Sequence, residues 1–378
     1  MRAADFMVTA LEAYGIERIW CVPGESYLAL LDALYGANGI ETIPCRHESG
    51  AGFMAVSEAK LTGKPSVYAV SRGPGATNAS IALHVAEQDA MPVVLLIGQV
   101  ARKDIGRGAF QEVDYSSFFA DIAKGVWEVT DATDLPTVMR DAFALAQSGT
   151  PGPVVISLPE DMLRDECGHT PLELGDLRPQ GPCAFDMTQT GQLLAKSERP
   201  LVIAGGMIKG KVATDALATF ADAFQVPVAA SWKHQDRFDN NSRLYAGHLG
   251  FGMPKPHADL LNQCDLIIAV GTRLGDVTTQ NYTLPAAPRP KQKLIHVYPD
   301  GEQIGRVYET DLPVACNASE FLEAMVKHIT PEVAEGRDGW IEEISSFVRG
   351  NMEFVHRDVS DGVDYGEVIV SLARQAKG

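Results

Sequence analysis

Ile40-Glu41-Thr42-Ile43-Pro44-Cys45-Arg46-His47-Glu48-Ser49-Gly50-Ala51-Gly52-Phe53-Met54-Ala55 reads as a strand that turns into a helix. A β-prone run opens the stretch, small and charged residues turn it, and from Met54 to Leu61 apolar residues recur at helical spacing. Glu48 therefore falls at or just past the C-terminal end of a strand, where the ligand crevice of an open α/β sheet lies. Taken alone, a Glu at this point also reads as an ordinary helix N-terminal acid favoured by the helix dipole.

The same pattern recurs outward. Ser66 to Ser71 reads as a buried strand that runs into Arg72-Gly73-Pro74-Gly75-Ala76-Thr77-Asn78 and a helix, a succession that brings bare backbone amides to a ligand. Before Glu48, Met7, Ala10, Leu11 and Tyr14 mark a helix stopped at Gly15. Arg18 to Val22 is a strand ending at Pro23-Gly24-Glu25-Ser26, and Leu28, Leu31 and Tyr35 share one face of the next helix. Downstream, Met91 to Ile97 is a strand closed by Gly98-Gln99-Val100. A polar loop leads from there to Phe110-Gln111-Glu112, Val126 to Val129 is a strand, Leu135 to Ser148 a helix, and Gly152 to Pro159 the last strand of the set.

A second alternation follows. It starts with a strand and Gly-Gly turn over Arg199 to Gly206 and has further strands at Val226 to Ala230, Asp265 to Arg273 and Lys293 to Tyr298, with a helix over 213–224. Val- and Ile-rich strands alternating with helices predict α/β architecture: two successive doubly wound parallel-sheet domains with helices on both faces. The boundaries fall at 1–163 for the first domain, 164–187 for a Pro- and Gly-rich linker, 188–330 for the second domain and 331–378 for a helical linker. Gly205-Gly206-Met207-Ile208-Lys209-Gly210 lacks the Gly-x-Gly-x-x-Gly spacing of a dinucleotide turn.

A chain of 378 residues with 46% hydrophobic and 21% charged residues has the make-up of an ordinary two-domain globular protein. A net charge of −17 argues against a nucleic-acid partner. Six scattered cysteines without a Cys-x-x-Cys pair read as buried free thiols of a reducing compartment, and His234, His248, His257 and His296 as surface or loop histidines without metal-site spacing. Asp5 and Glu12 interrupt any signal-peptide run, and no segment approaches the roughly 18 apolar residues of a membrane span, so no membrane partner and a cytoplasmic location are expected.

Arg46-His47-Glu48-Ser49-Gly50-Ala51 followed by Gly73-Pro74-Gly75-Ala76-Thr77-Asn78, with Gly98-Gln99-Val100 and Phe110-Gln111-Glu112 downstream, resembles the thiamine diphosphate enzymes of the acetolactate synthase and benzaldehyde lyase group over nearly the whole chain. The resemblance implies that 1–163 is the pyrimidine-binding domain and 188–330 the central domain. It also implies that Glu48 bonds the aminopyrimidine ring nitrogen of thiamine diphosphate, where a shared proton favours the imino form that acts as internal base. It sets Pro23, Gly24 and Ser26 in the loop over the active centre and Gly73, Pro74 and Asn78 against the cofactor. Gln111 becomes a catalytic donor to a developing enolate or alkoxide oxygen. Phe110 and Lys124 become substrate-channel candidates, with a solvated Lys124 equally compatible; Asp89 matches a family Asp or is a solvent-facing residue.

The chain departs from the family at Ser26, where the lyase has His, and at Ala123, where Thr is common. No Gly-Asp-Gly occurs, so no metal ligand is expected in this chain. The Mg²⁺ and diphosphate ligands are expected in a third domain that would begin after 331–378, and the isolated chain is expected to be inactive. Tyr298-Pro299-Asp300 replaces the Asp-Ile-Asp common in flavin-bearing synthases, so FAD is not favoured. The expected activity is carboligation on a 2-oxo acid, aldehyde or 2-hydroxy ketone, favoured over decarboxylation or C–C hydrolysis, in a homodimer or homotetramer with the active site between subunits. The competing class is a non-catalytic oligomerisation module.

Overall fold

The computed structural model describes residues 1–168 and 180–376, so Pro171, Gly175 and Pro179 of the expected linker lie outside the described residues. Two compact units divide the chain, Met1–Arg178 and Pro179–Gly378. In the first, the elements are α1 (Ala3–Ala13), β1 (Arg18–Cys21), α2 (Leu28–Gly36), β2 (Glu41–Pro44), α3 (Glu48–Thr62), β3 (Ser66–Ser71), α4 (Arg72–Gln88), β4 (Val93–Gln99), α5 (Tyr115–Phe118), β5 (Gly125–Glu128), α6 (Leu135–Gln147) and β6 (Val154–Pro159). The six strands form one parallel sheet in the order β2-β1-β3-β4-β6-β5.

Both faces of that sheet are covered, as alternating side chains require. Ile19, Val67, Val94 and Ile156 point into a core shared with α1, α2 and α6. Tyr68, Val70, Leu95 and Val155 point the other way, under α3 and α4. The strand order reverses between β1 and β3, so the loops after these two strands flank the crevice where such sheets bind ligands.

Helices α2 and α3 turn different faces inward from those marked by their large apolar residues. In α2 the buried residues are Ala29, Leu30 and Leu34, while Leu28 and Tyr35 are 53% and 94% exposed. In α3 the packed face is Ala51, Gly52, Ala55, Val56 and Ala59, and Met54 and Leu61 face out. The reason in α3 is distance: a Cβ at Gly52 would stand 2.4 Å from Ala82 Cβ of α4 and 3.1 Å from the Tyr68 ring, leaving no room for a large side chain.

The second unit contains α7 (Ala184–Lys196), β7 (Pro200–Ala204), α8 (Gly210–Phe224), β8 (Val228–Ala230), β9 (Tyr245–His248), α9 (Lys255–Leu261), β10 (Leu266–Val270), β11 (Lys293–Tyr298), β12 (Leu312–Ala315), α10 (Ala318–His328), α11 (Arg337–Met352) and α12 (Tyr365–Gln375). Its parallel sheet runs β12-β11-β10-β7-β8-β9. The short edge strands β9 and β12 were not among the strands read from the sequence: Gly247 and His248 interrupt β9, and β12 is only four residues long. Helix α7 begins inside the stretch expected to be linker. Trp340, Ile341 and Ile344 of α11 belong to the core of this unit, so that part of 331–378 is no free linker.

His257 and His296 are buried, not surface residues: His257 Nε2 lies 2.9 Å from Ala246 O, and His296 Nε2 lies 2.9 Å from Thr272 O. All six cysteines are free, but Cys183 is exposed at the start of α7 and Cys45 is only half-buried. Among the described residues no helix is long and apolar enough to cross a membrane.

Candidate functional site

The C-terminal edge of the first sheet gathers most of the candidate residues. After β2, His47 caps α3, its Nδ1 accepting the Ser49 amide at 3.2 Å, which leaves Glu48 as the first helical residue. Gly52 lies one turn further on and sets the close approach of α3 to α4. That approach lets Asn78, in the second turn of α4, donate its Nδ2 to Glu48 Oε2 at 2.9 Å. Glu48 is half-buried, and its Oε1 accepts no hydrogen bond among the described residues. One carboxylate oxygen is thus fixed by an amide while the other stays open to a ligand.

After β3 the chain turns through Arg72 at φ +48° into Gly73. The Gly73 amide donates to Gln111 O at 2.9 Å. A Cβ there would stand 2.7 Å from Val113 Cγ2 and 2.9 Å from Gln111 O, so only glycine lets this loop dock. Pro74 is exposed in the first turn of α4, where its missing N–H costs nothing. Gln111, at φ +67°, and Phe110, 81% exposed, project from the docked loop. Helix α4 therefore carries Gln111 against its first turn and Glu48 against its second, about 8 Å further along at 1.5 Å per residue.

Pro23 and Gly24 lie across the crevice, at the end of β1. The Tyr27 hydroxyl donates to Val22 O and fixes that turn, and a Cβ at Gly24 would stand 2.4 Å from Ser71 Cβ. Ser26 is fully buried, with Oγ 2.8 Å from Ser71 Oγ, so it lies beneath the crevice and does not line it. Lys124 is not gathered here at all. It precedes β5 at the opposite, N-terminal edge of the sheet, where its Nζ donates to the Leu145 and Ser148 carbonyls at 2.6 Å each. Asp89 lies at that same far edge, 4.0 Å from Lys60 Nζ.

Three residues at the site were quoted in sequence motifs but given no role. Arg72 donates to Glu160 Oε2 at 2.9 Å and lies 3.9 Å from Glu25, tying the exits of β1, β3 and β6 together. Gln99 and Glu112 hold the loop that carries Gln111. The signal for them lay in Gly98-Gln99-Val100 and Phe110-Gln111-Glu112, but their partners are set by the fold.

Among the described residues no three His, Cys, Asp or Glu side chains converge as a metal-binding group, so no step can be drawn through Mg²⁺ on these residues. In the second unit the strand order reverses between β10 and β7, and the turn after β7 packs closely on neighbouring chain. A Cβ at Gly205 would stand 2.3 Å from Gly271 O, one at Gly206 would stand 2.6 Å from His234 Nε2, and the Met207 amide is spent on Gly271 O at 3.0 Å. The Met207 amide is therefore not free for a flavin's diphosphate, and no step is derived through FAD.

Residues 1–118 match the family model of the thiamine pyrophosphate enzyme N-terminal TPP binding domain, and residues 187–325 match that of the thiamine pyrophosphate enzyme central domain. The chain is 32% identical over 354 residues to the acetolactate synthase large subunit of Parasynechococcus marenigrum, covering 91% of this chain and 57% of that protein. It is 33% identical over 333 residues to the acetolactate synthase isozyme 2 large subunit of Escherichia coli (86% and 59%), and 30% identical over 358 residues to the probable acetolactate synthase large subunit of Methanocaldococcus jannaschii (91% and 59%). The chain thus spans somewhat under two thirds of the length of these curated relatives. With both domain models matched in order and relatives of this identity along nine tenths of its length, the chain belongs to the thiamine pyrophosphate enzyme family and carries its N-terminal and central domains.

Proposed function

We propose that this chain supplies the pyrimidine-side half of the active centre of a thiamine diphosphate-dependent carboligase acting on a 2-oxo acid, as the names of its relatives suggest. The observation that carries the reading is Glu48, held at the ligand edge of the sheet by Asn78 with Oε1 left open. When bound, thiamine diphosphate supplies a nucleophilic carbon that makes and breaks bonds beside a carbonyl. Glu48 Oε1 holds the proton shared with the cofactor's ring nitrogen. Asn78 keeps the carboxylate from rotating away, and Gly73 lets the loop that carries Gln111 dock on α4. Gln111 donates its side-chain N–H to oxygen that gains charge.

A second copy of the chain fits the same reading as partner. Phe53 and Met54 of α3 and Ile81 of α4 are exposed beside Glu48, an apolar surface that a neighbouring subunit would cover while closing the site to water. The free thiols suit a reducing cytoplasm.

The test is Glu48→Gln in the cofactor-loaded enzyme, followed by deuterium exchange at the cofactor's thiazolium carbon. Exchange should slow by orders of magnitude with the fold intact. Exchange at the wild-type rate would remove Glu48 from the mechanism. Product analysis with pyruvate separates ligation from decarboxylation.

A further inference from the structure

The loop between β4 and α5 is tied at both ends and across its middle, and the ties converge on Gln111. Its start is anchored by Arg102, whose amide and Nε bond the Asp161 carboxylate at 3.0 and 2.9 Å. Glu112 accepts the amides of Gly106 and Ala109, the latter at 2.9 Å, and so closes the loop tip into a ring. Those two amides also hold its carboxyl below the usual range. At the far end stands Gln99, the last residue of β4 and only 1% exposed. Its Oε1 accepts the Val100 amide at 2.9 Å, and its Nε2 donates to Val113 O at 3.1 Å and Glu128 Oε2 at 3.3 Å.

Between these ties Gln111 adopts φ +67°, a left-handed conformation that a residue with a side chain enters at a cost. Surroundings that over-determine the backbone keep it there, and its exposed side chain makes no hydrogen bond among the described residues. Neither Gln99 nor Glu112 is available to a ligand. The first is buried with its amide fully engaged, and the second has each oxygen on a backbone amide.

We propose that Gln99 and Glu112 are positioning residues that preset the backbone of Gln111, and so the direction in which its side chain leaves the loop, before any ligand arrives. The catalytic consequence rests on the reading of Gln111 as an active-centre donor; the loop geometry does not. A donor fixed in advance saves the ordering cost that a mobile glutamine would meet in each turnover.

Two variants test it by hydrogen exchange on this chain. Glu112→Gln should speed exchange at the Gly106 and Ala109 amides about tenfold, and Gln99→Met should do the same at the Gly73 amide, with β4 and β6 as protected as before. Unchanged protection in both variants overturns the proposal, as does protection lost throughout the first unit, which would assign the two residues to the fold and not to the loop. In the loaded enzyme, Gln99→Met should lower kcat about tenfold with little change in KM, and should cost nothing further in a Gln111→Ala background. Additive losses overturn the link to Gln111. A Gln111→Ala enzyme with wild-type turnover would overturn the catalytic reading alone, while the exchange result would still decide the loop.

Discussion

A carboxylate with one oxygen held and the other open is aimed without being neutralised, and at Glu48 the aiming falls to a single amide. Asn78→Ala should therefore lower turnover of the loaded enzyme about tenfold, the scale of one hydrogen bond to a charged group. Asn78→Asp should cost more, because it sets a second carboxylate against the first. Wild-type rates in both variants would show that Asn78 does not orient Glu48. Glu112 allows a prediction with a sign. Amides hold its carboxyl below the ordinary value of 4.5 in the folded loop, so the stabilisation is complete at neutral pH and is lost as pH falls through the depressed value. Protection of the Gly106 and Ala109 amides should stay constant from pH 7 to about 5 and collapse only below the usual carboxylate range; a fall between 7 and 6 would contradict it.

At the scale of helices and strands, the pair α3 and α4 makes the site possible, and small residues make the pair. Gly52→Ala should push the helices apart and destabilise the first unit by about 1–3 kcal/mol, measured by urea unfolding. Gly50→Ala is the control, since its added Cβ meets nothing within 4 Å and a helical Ala is favoured over Gly by about 0.5–1 kcal/mol. An equally damaged Gly50→Ala would move the cause from packing to the helix start. The six strands of this sheet and its helices other than α5 were legible because β-prone runs and helical spacing alternate and are bounded by turn residues. The inward face of α3 was not, because Ala and Gly give no hydrophobic period while Met54 and Leu61, which do, point outward. The placing of Glu48, Gly73 and Asn78 at one edge of the sheet was legible, because motif and element coincide there. The sequence misled at Lys124 and Ser26, where only the fold says which edge of the sheet, or which side of a loop, the residue occupies.

At the scale of the chain, each unit has its own core, and long-range contacts that no local pattern announces hold the second together. Arg337 is the clearest case. It lies in a polar stretch that reads as connecting sequence, at the first position of α11, where a cation opposes the helix dipole. Its partners explain it: NH1 donates to Phe224 O at 2.7 Å at the end of α8, and NH2 donates to Leu194 O and Ser197 O at the end of α7. A fully buried guanidinium thus serves the negative ends of two other helices, more than a hundred residues earlier, and burial lowers its pKa against the opposing charge of Asp265. Next to it, Trp340 Nε1 donates to Pro200 O at 2.9 Å and seats α11 at the start of β7. Arg337→Met keeps much of the apolar volume but leaves three buried helix-end carbonyls without their donor, at an expected cost of about 2–5 kcal/mol. Hydrogen exchange should show the loss of protection in α7, α8 and α11, with β3, β4 and α4 of the first unit unchanged. Arg337→Lys should rescue only in part, because one ammonium cannot span the carbonyls that the planar fork reaches. Full rescue by Lys, or loss of protection spread evenly through both units, would refute the account of Arg337 as a local clasp on these helix ends.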